Sequence, residues 1–149
     1  MSGHHPPRRT LRRIGAVFIG LVAVVVLSLG TDAALHAAGV YPPWGRPMSD
    51  RLFVLASAYR AAWAVLGSYI AARLAPDRPM AHAMALGVVG LLLSIAGAAA
   101  TWRQLGAGSA LGPAWYPLSL VATALPCSWA GGRVQAWACS KGADSRRGA

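Results

Sequence analysis

Arg60 and Asp32 are the two residues of this chain whose chemistry is least at home in its surroundings. Each is a charged side chain in, or at the end of, a run of apolar residues. Arg60 follows Arg51 by nine residues, roughly 13 Å along a helix. An arginine that deep in lipid costs about 2.5–3.5 kcal/mol, so it must face protein, meet a carboxylate or snorkel outward. Asp32 and Asp50 are the acids on its side of the membrane. Asp50 lies nearly three turns away on the same helix, so Asp32 is the better partner, and Tyr59 and Ser57 can add hydrogen bonds. The expected arrangement is an intramembrane ion pair, Arg60 with Asp32, clamping the first two helices. The alternative is a site for an anion or a lipid headgroup centred on Arg60.

The other reactive side chains do not assemble into a centre. His36 and His82 fall at opposite membrane ends, and His4 and His5 are adjacent in a basic arm. Met80 and Met84 share a helix face that copper would accept, but no second soft cluster accompanies them, so packing or anchoring is the better reading. There is no Ser-His-Asp set, no carboxylate pair at one depth and no phosphate loop. The sequence therefore predicts no enzyme, no metal and no cofactor. Cys127 and Cys139 are too few for a disulfide framework, and a cytoplasmic tail around Cys139 would keep them as thiols.

The elements that must position Arg60 are four apolar runs, Ile14–Gly30, Leu52–Ala72, Ala83–Trp102 and Pro113–Gly132. Each is about long enough for a bilayer core of about 30 Å, which takes roughly 20 helical residues. The 149 residues are 56% hydrophobic and 12% charged, against about 25% charged in ordinary soluble domains. The expected fold is all-α: a polytopic membrane protein with a four-transmembrane-helix bundle, spans near 14–38, 51–74, 80–102 and 113–132. Residues 1–12 are expected to be a disordered basic arm, because Pro6-Pro7 opposes helix, and residues 134–149 a flexible tail. A cleaved signal peptide is the weaker reading of the first run, which exceeds the usual 7–15 apolar residues.

Charge sets the orientation. Net charge is +10, from fourteen Lys/Arg against four Asp. Ten of the basic residues flank the runs on one side and three lie on the other, the positive-inside pattern of a chain with both termini in the cytoplasm. Lipid headgroups account for this charge, so no nucleic-acid partner is expected. The bilayer is the expected partner, with a homo-oligomer or another membrane protein also possible.

Local signals refine the helices. Ala75-Pro-Asp-Arg-Pro79 is a tight turn that makes the second and third spans a hairpin, with Asp77 as N-cap of the third. Ser49 or Asp50 can cap the second. Ala83, Gly87, Gly90, Ser94 and Gly97 form a small-residue stripe on one face, expected to pack on Ala64, Ser68 and Ala72 or to serve self-association. Tyr41, Trp44, Trp102, Trp115 and Tyr116 read as interfacial aromatics. Pro126 is expected to kink the fourth span, with Thr123 placed to help satisfy the broken ladder.

The stretches Tyr41-Pro-Pro-Trp-Gly-Arg-Pro-Met-Ser-Asp-Arg-Leu-Phe53, Ala58-Tyr-Arg60, Ala72-Arg-Leu-Ala-Pro-Asp-Arg-Pro-Met80, Gly112-Pro-Ala-Trp-Tyr-Pro117 and Gly131-Gly-Arg133 resemble a family of small, uncharacterised four-span bacterial inner-membrane proteins. The resemblance covers roughly residues 11–135. It implies a helical membrane domain and carries no activity or functional residues with it.

Overall fold

Backbone amides that meet lipid must bond within their own segment, and this chain does so with helices. The computed structural model describes residues 7–106 and 109–147, with side chains over 10–106 and 109–141. It contains α1 (Pro7–Ala37), α2 (Asp50–Leu74), α3 (Pro79–Thr101), a 3₁₀ turn (Trp102–Gln104) and α4 (Trp115–Arg147). Among the described residues there is no strand.

Several boundaries differ from expectation. Residues 7–12, expected to be disordered, form the first turns of α1; Pro7 suits that position because its missing N–H would be unpaired anyway. Residues 1–6 of that arm lie outside the described residues. The chain from 134 to 147, expected to be a flexible tail, continues α4. Nothing between Arg133 and Arg147 breaks a helix as proline would, and Gln135 is buried. α4 also runs through Pro126. Thr123 donates to the carbonyl of Ser119 at 2.7 Å, one turn before the carbonyl that Pro126 leaves unpaired.

α1 closes with the hydrogen-bond pattern of a Schellman motif: Val40 N–H to Leu35 C=O at 3.0 Å and Gly39 N–H to His36 C=O at 3.1 Å. Gly39 takes φ +72°, which costs a glycine nothing. Ser49 stands at the N-cap of α2, but its side chain makes no cap bond. At α3 the cap position belongs to Arg78, not Asp77, again without a side-chain cap bond. Arg78 has a left-handed backbone, φ +43°, a conformation that costs a non-glycine residue roughly 1–2 kcal/mol. Asp77 is drawn away by Arg13 of α1, whose guanidinium makes two hydrogen bonds to its carboxylate.

The packing is inverted relative to a water-soluble protein. Most buried positions are small, including Ala16, Ala56, Ala71, Ala72 and Ala83, while Phe18, Val26, Leu29, Leu92 and Leu93 are more than half exposed. Small residues let helix backbones approach, and large apolar ones face a solvent that is itself apolar. α1, α2 and α3 are long and apolar enough to cross a membrane; α4 is not among them. α4 instead fills the seam between α2 and α3. At Gly131 an added Cβ would stand 2.8 Å from Ser68 Cβ, and at Gly132 it would stand 3.1 Å from Ala83 Cβ. On the other side, α1 meets α2 where Gly20 lies against Gly67: a Cβ on Gly20 would come within 2.7 Å of the Gly67 carbonyl oxygen.

The small-residue stripe of α3 therefore does not serve one uniform interface. Ala83 meets Gly132 and Gly87 meets Ser128, both on α4 rather than on α2. Ser68 of the α2 row also turns to α4, donating to Ser128 at 3.1 Å. Gly90 and Gly97 have open space where a side chain would be.

Candidate functional site

The C-terminal end of α1 and the middle of α2 hold the charged cluster. Asp32 is nearly buried. Arg60 Nη2 donates to its Oδ2 at 2.6 Å, and the Tyr59 hydroxyl donates to its Oδ1. Both carboxylate oxygens are thus engaged by neighbouring residues of α2. One turn along, Trp63 Nε1 donates to Thr31 Oγ1 at 3.0 Å, and Thr31 donates in turn to the Leu27 carbonyl at 2.7 Å. Arg60 and Trp63 share a face of α2, as residues three apart do. Asp32 and Thr31 are consecutive, so one stretch of α1 receives bonds from two turns of α2. Ser57 does not join the cluster; it is bonded to the Phe53 carbonyl and lies 3.1 Å from the Ser119 hydroxyl of α4.

Aromatic rings complete the surroundings. The Arg60 guanidinium lies 5.9 Å from the ring centre of Tyr116 and 6.0 Å from that of Tyr59. Tyr116 leans on Phe53 with ring centres 5.0 Å apart, and Phe53 presses on the backbone of Gly112, where a Cβ would collide with it. Arg60 Nε is buried without a hydrogen-bond partner. Arg60 also borders a cavity of about 440 Å³ to which all four helices contribute, walled by Val25, Ser28, Ala64, Gly90, Ser94 and Leu120 among others.

The aromatic residues expected at the interface divide. Trp44 is 71% exposed and stacks on His36 with ring centres 3.7 Å apart, and Trp102 and Trp115 are exposed. Tyr41 is buried instead: its ring meets His36 edge-on and its hydroxyl donates to the Leu52 carbonyl at 3.3 Å. It pins the loop after α1 onto α2, because the Schellman turn at Gly39 directs the chain back over the helix end. Tyr116 is half-buried against Arg60.

At the opposite end of the bundle, Arg13 and Asp77 make an exposed ion pair that joins α1 to the α2–α3 hairpin. The Arg13 hydrogen bonds hold the Asp77 carboxyl below the usual carboxylate range, with the charges of His82 and Arg78 acting in the same direction. The Asp77-x-Pro79 pattern reads locally as a cap, and Arg13 is one of four arginines before the first apolar run, so nothing in the sequence singles out this pair. No group of three or more metal-ligating side chains occurs among the described residues, and Cys127 and Cys139 are unbridged.

The arrangement can hold two helices together and border a cavity with the Arg60 guanidinium. No known protein family, no curated protein and no solved structure matches this chain.

Proposed function

We propose that the chain is a four-span bacterial inner-membrane protein, with both termini in the cytoplasm, that acts as a structural or accessory subunit through helix–helix contacts and not by catalysis. The observation that carries this is the fate of Asp32: both of its oxygens accept bonds from α2, so the charge that a proton-coupled or catalytic site would use is consumed in holding helices. The inverted packing supports lipid as the solvent. The fourth span rests on α4 from Trp115 to Arg133, which covers roughly 27 Å, the thickness of a bilayer core. Trp129 and Trp137 are exposed on it, with Arg133 and Lys141 over their rings at 5.6 and 4.1 Å, an arrangement suited to the headgroup region.

A second reading, a small oligomeric transporter or channel with Arg60 as an anion or lipid-headgroup site, is favoured by the cavity beside Arg60 and its unpartnered Nε. It ranks second because Asp32 already balances the guanidinium charge.

Mild extraction with native lipid followed by native mass spectrometry separates the two. A stoichiometric second protein is the expected result. A homo-oligomer retaining an anion or lipid that the Arg60→Gln variant loses would favour the transporter, and a bare monomer would contradict both.

A further inference from the structure

We infer that the cleft between α1 and α3 at the hairpin end is a binding site for one anionic glycerophospholipid, its phosphate at Arg78 and an acyl chain along the cleft. The inference rests on these helices crossing a bilayer, but on neither reading of Arg60. The cleft has a volume of about 500 Å³ and is walled by Ile14, Val17, Phe18 and Leu21 of α1 and by Ala85 and Val89 of α3. It continues into a second hollow of about 430 Å³ bordered by Arg13, Asp77, Arg78 and His82. Arg13 and His82 line both, so an apolar trough and a polar mouth form one continuous surface.

The mouth is positive. Asp77 offsets Arg13, to which it is bonded, and Arg78 is left in excess. Among the described residues no side chain is hydrogen-bonded to the Arg78 guanidinium, and the one carboxylate that feels its charge, Asp77, is bonded to Arg13. His82 Nδ1 lies 3.2 Å from the Arg78 carbonyl, which ties the turn to the first turn of α3. Arg78 is held with φ +43° between Pro76 and Pro79, a backbone that a non-glycine residue adopts only under constraint. The mouth also lies at the N-terminus of α3, whose first turn has no acidic residue, so the positive end of the helix dipole adds to Arg78.

The shape and the charge choose the same occupant. The charged mouth sits where the apolar helices meet the hairpin turn, which is headgroup depth, and the trough below it runs along the helices as an acyl chain does. Basic pockets between helices at such a boundary recognise lipid phosphates. A zwitterionic lipid would fit the trough without using the excess charge.

The test is native mass spectrometry of the full-length chain in mild detergent, titrated with palmitoyl-oleoyl-phosphatidylglycerol or with the phosphatidylcholine of the same chains. One phosphatidylglycerol per chain is expected, retained at least about fivefold more tightly than phosphatidylcholine, the worth of one basic residue beside an anionic surface. Arg78→Asn should abolish that preference while keeping the fold, because asparagine accepts the left-handed backbone. Val89→Trp should weaken both lipids by filling the trough. Equal retention of the two lipids by the unaltered chain, or an undiminished preference in Arg78→Asn, would overturn the site. Alkaline carbonate washing of membranes keeps the two failures apart: release of the chain refutes membrane insertion, whereas retention without lipid preference refutes the lipid site alone.

Discussion

Among single residues, Arg60 and Asp32 carry the largest consequences. Removing one partner of a well-bonded pair strands the other charge, whereas removing both strands neither. Arg60→Ala and Asp32→Ala should therefore each destabilise the protein in detergent by about 1–3 kcal/mol, less than a fully buried pair because Arg60 is part-exposed. The double variant should cost little more than either; thermal unfolding of all four proteins measures this, and additive losses would sink the clamp. This pair is legible in the sequence because charges are rare in an apolar run, and only two acids lie on the right side. Arg13 with Asp77 is not legible, since local turn chemistry offers Asp77 a competing role. It makes its own prediction. Asp77 has a carboxyl pKa lowered by Arg13 in the fold, so its stabilisation is complete above the ordinary aspartate value of about 3.9 and drains away as pH falls through the lowered one. Melting curves should thus converge for the unaltered chain and Asp77→Asn in acid, and separate, with the unaltered chain more stable, near neutrality.

For the helices, the glycines distinguish seams from open faces. Gly131 touches α2 so closely that even a methyl group would meet the Val65 carbonyl, so Gly131→Ala should lower the melting temperature or prevent assembly. Gly90 and Gly97 meet nothing, so alanine there should raise stability, by up to about 1 kcal/mol each from helix propensity alone. A loss at Gly90 or Gly97 would reveal a partner helix on that face. The stripe of α3 was readable as a small-residue face, but its partner was not. A row of small residues records how near another backbone comes, and α2 and α4 present equivalent rows. The continuation of α4 past Gly132 was hidden for a different reason: the apolar run ends there, while the helix does not. Gln135 and Cys139, one turn apart and 3.1 Å from amide nitrogen to sulfur, continue it into a polar stretch.

The whole molecule is a bundle in which α4 fills the seam between α2 and α3, and α1 is held to α2 by Gly20 on Gly67 and by the Asp32 cluster. Its membrane character was readable from composition, since 56% hydrophobic residues leave little for a water-facing surface. The inside-out distribution of large and small side chains supports the same conclusion from packing. The number of crossings decides the topology, and with it which ends of the chain share a compartment. If α4 crosses, Ser109 before it and Cys139 after it lie on opposite sides. The direct measurement is labelling by a membrane-impermeant maleimide in sealed right-side-out vesicles, using Cys127→Ala as background. In a four-span fold a Ser109→Cys, Cys139→Ala protein is labelled at once, and Cys139 alone is labelled only after the vesicles are permeabilised. Labelling of both in intact vesicles would place them in one compartment and contradict the four-span fold.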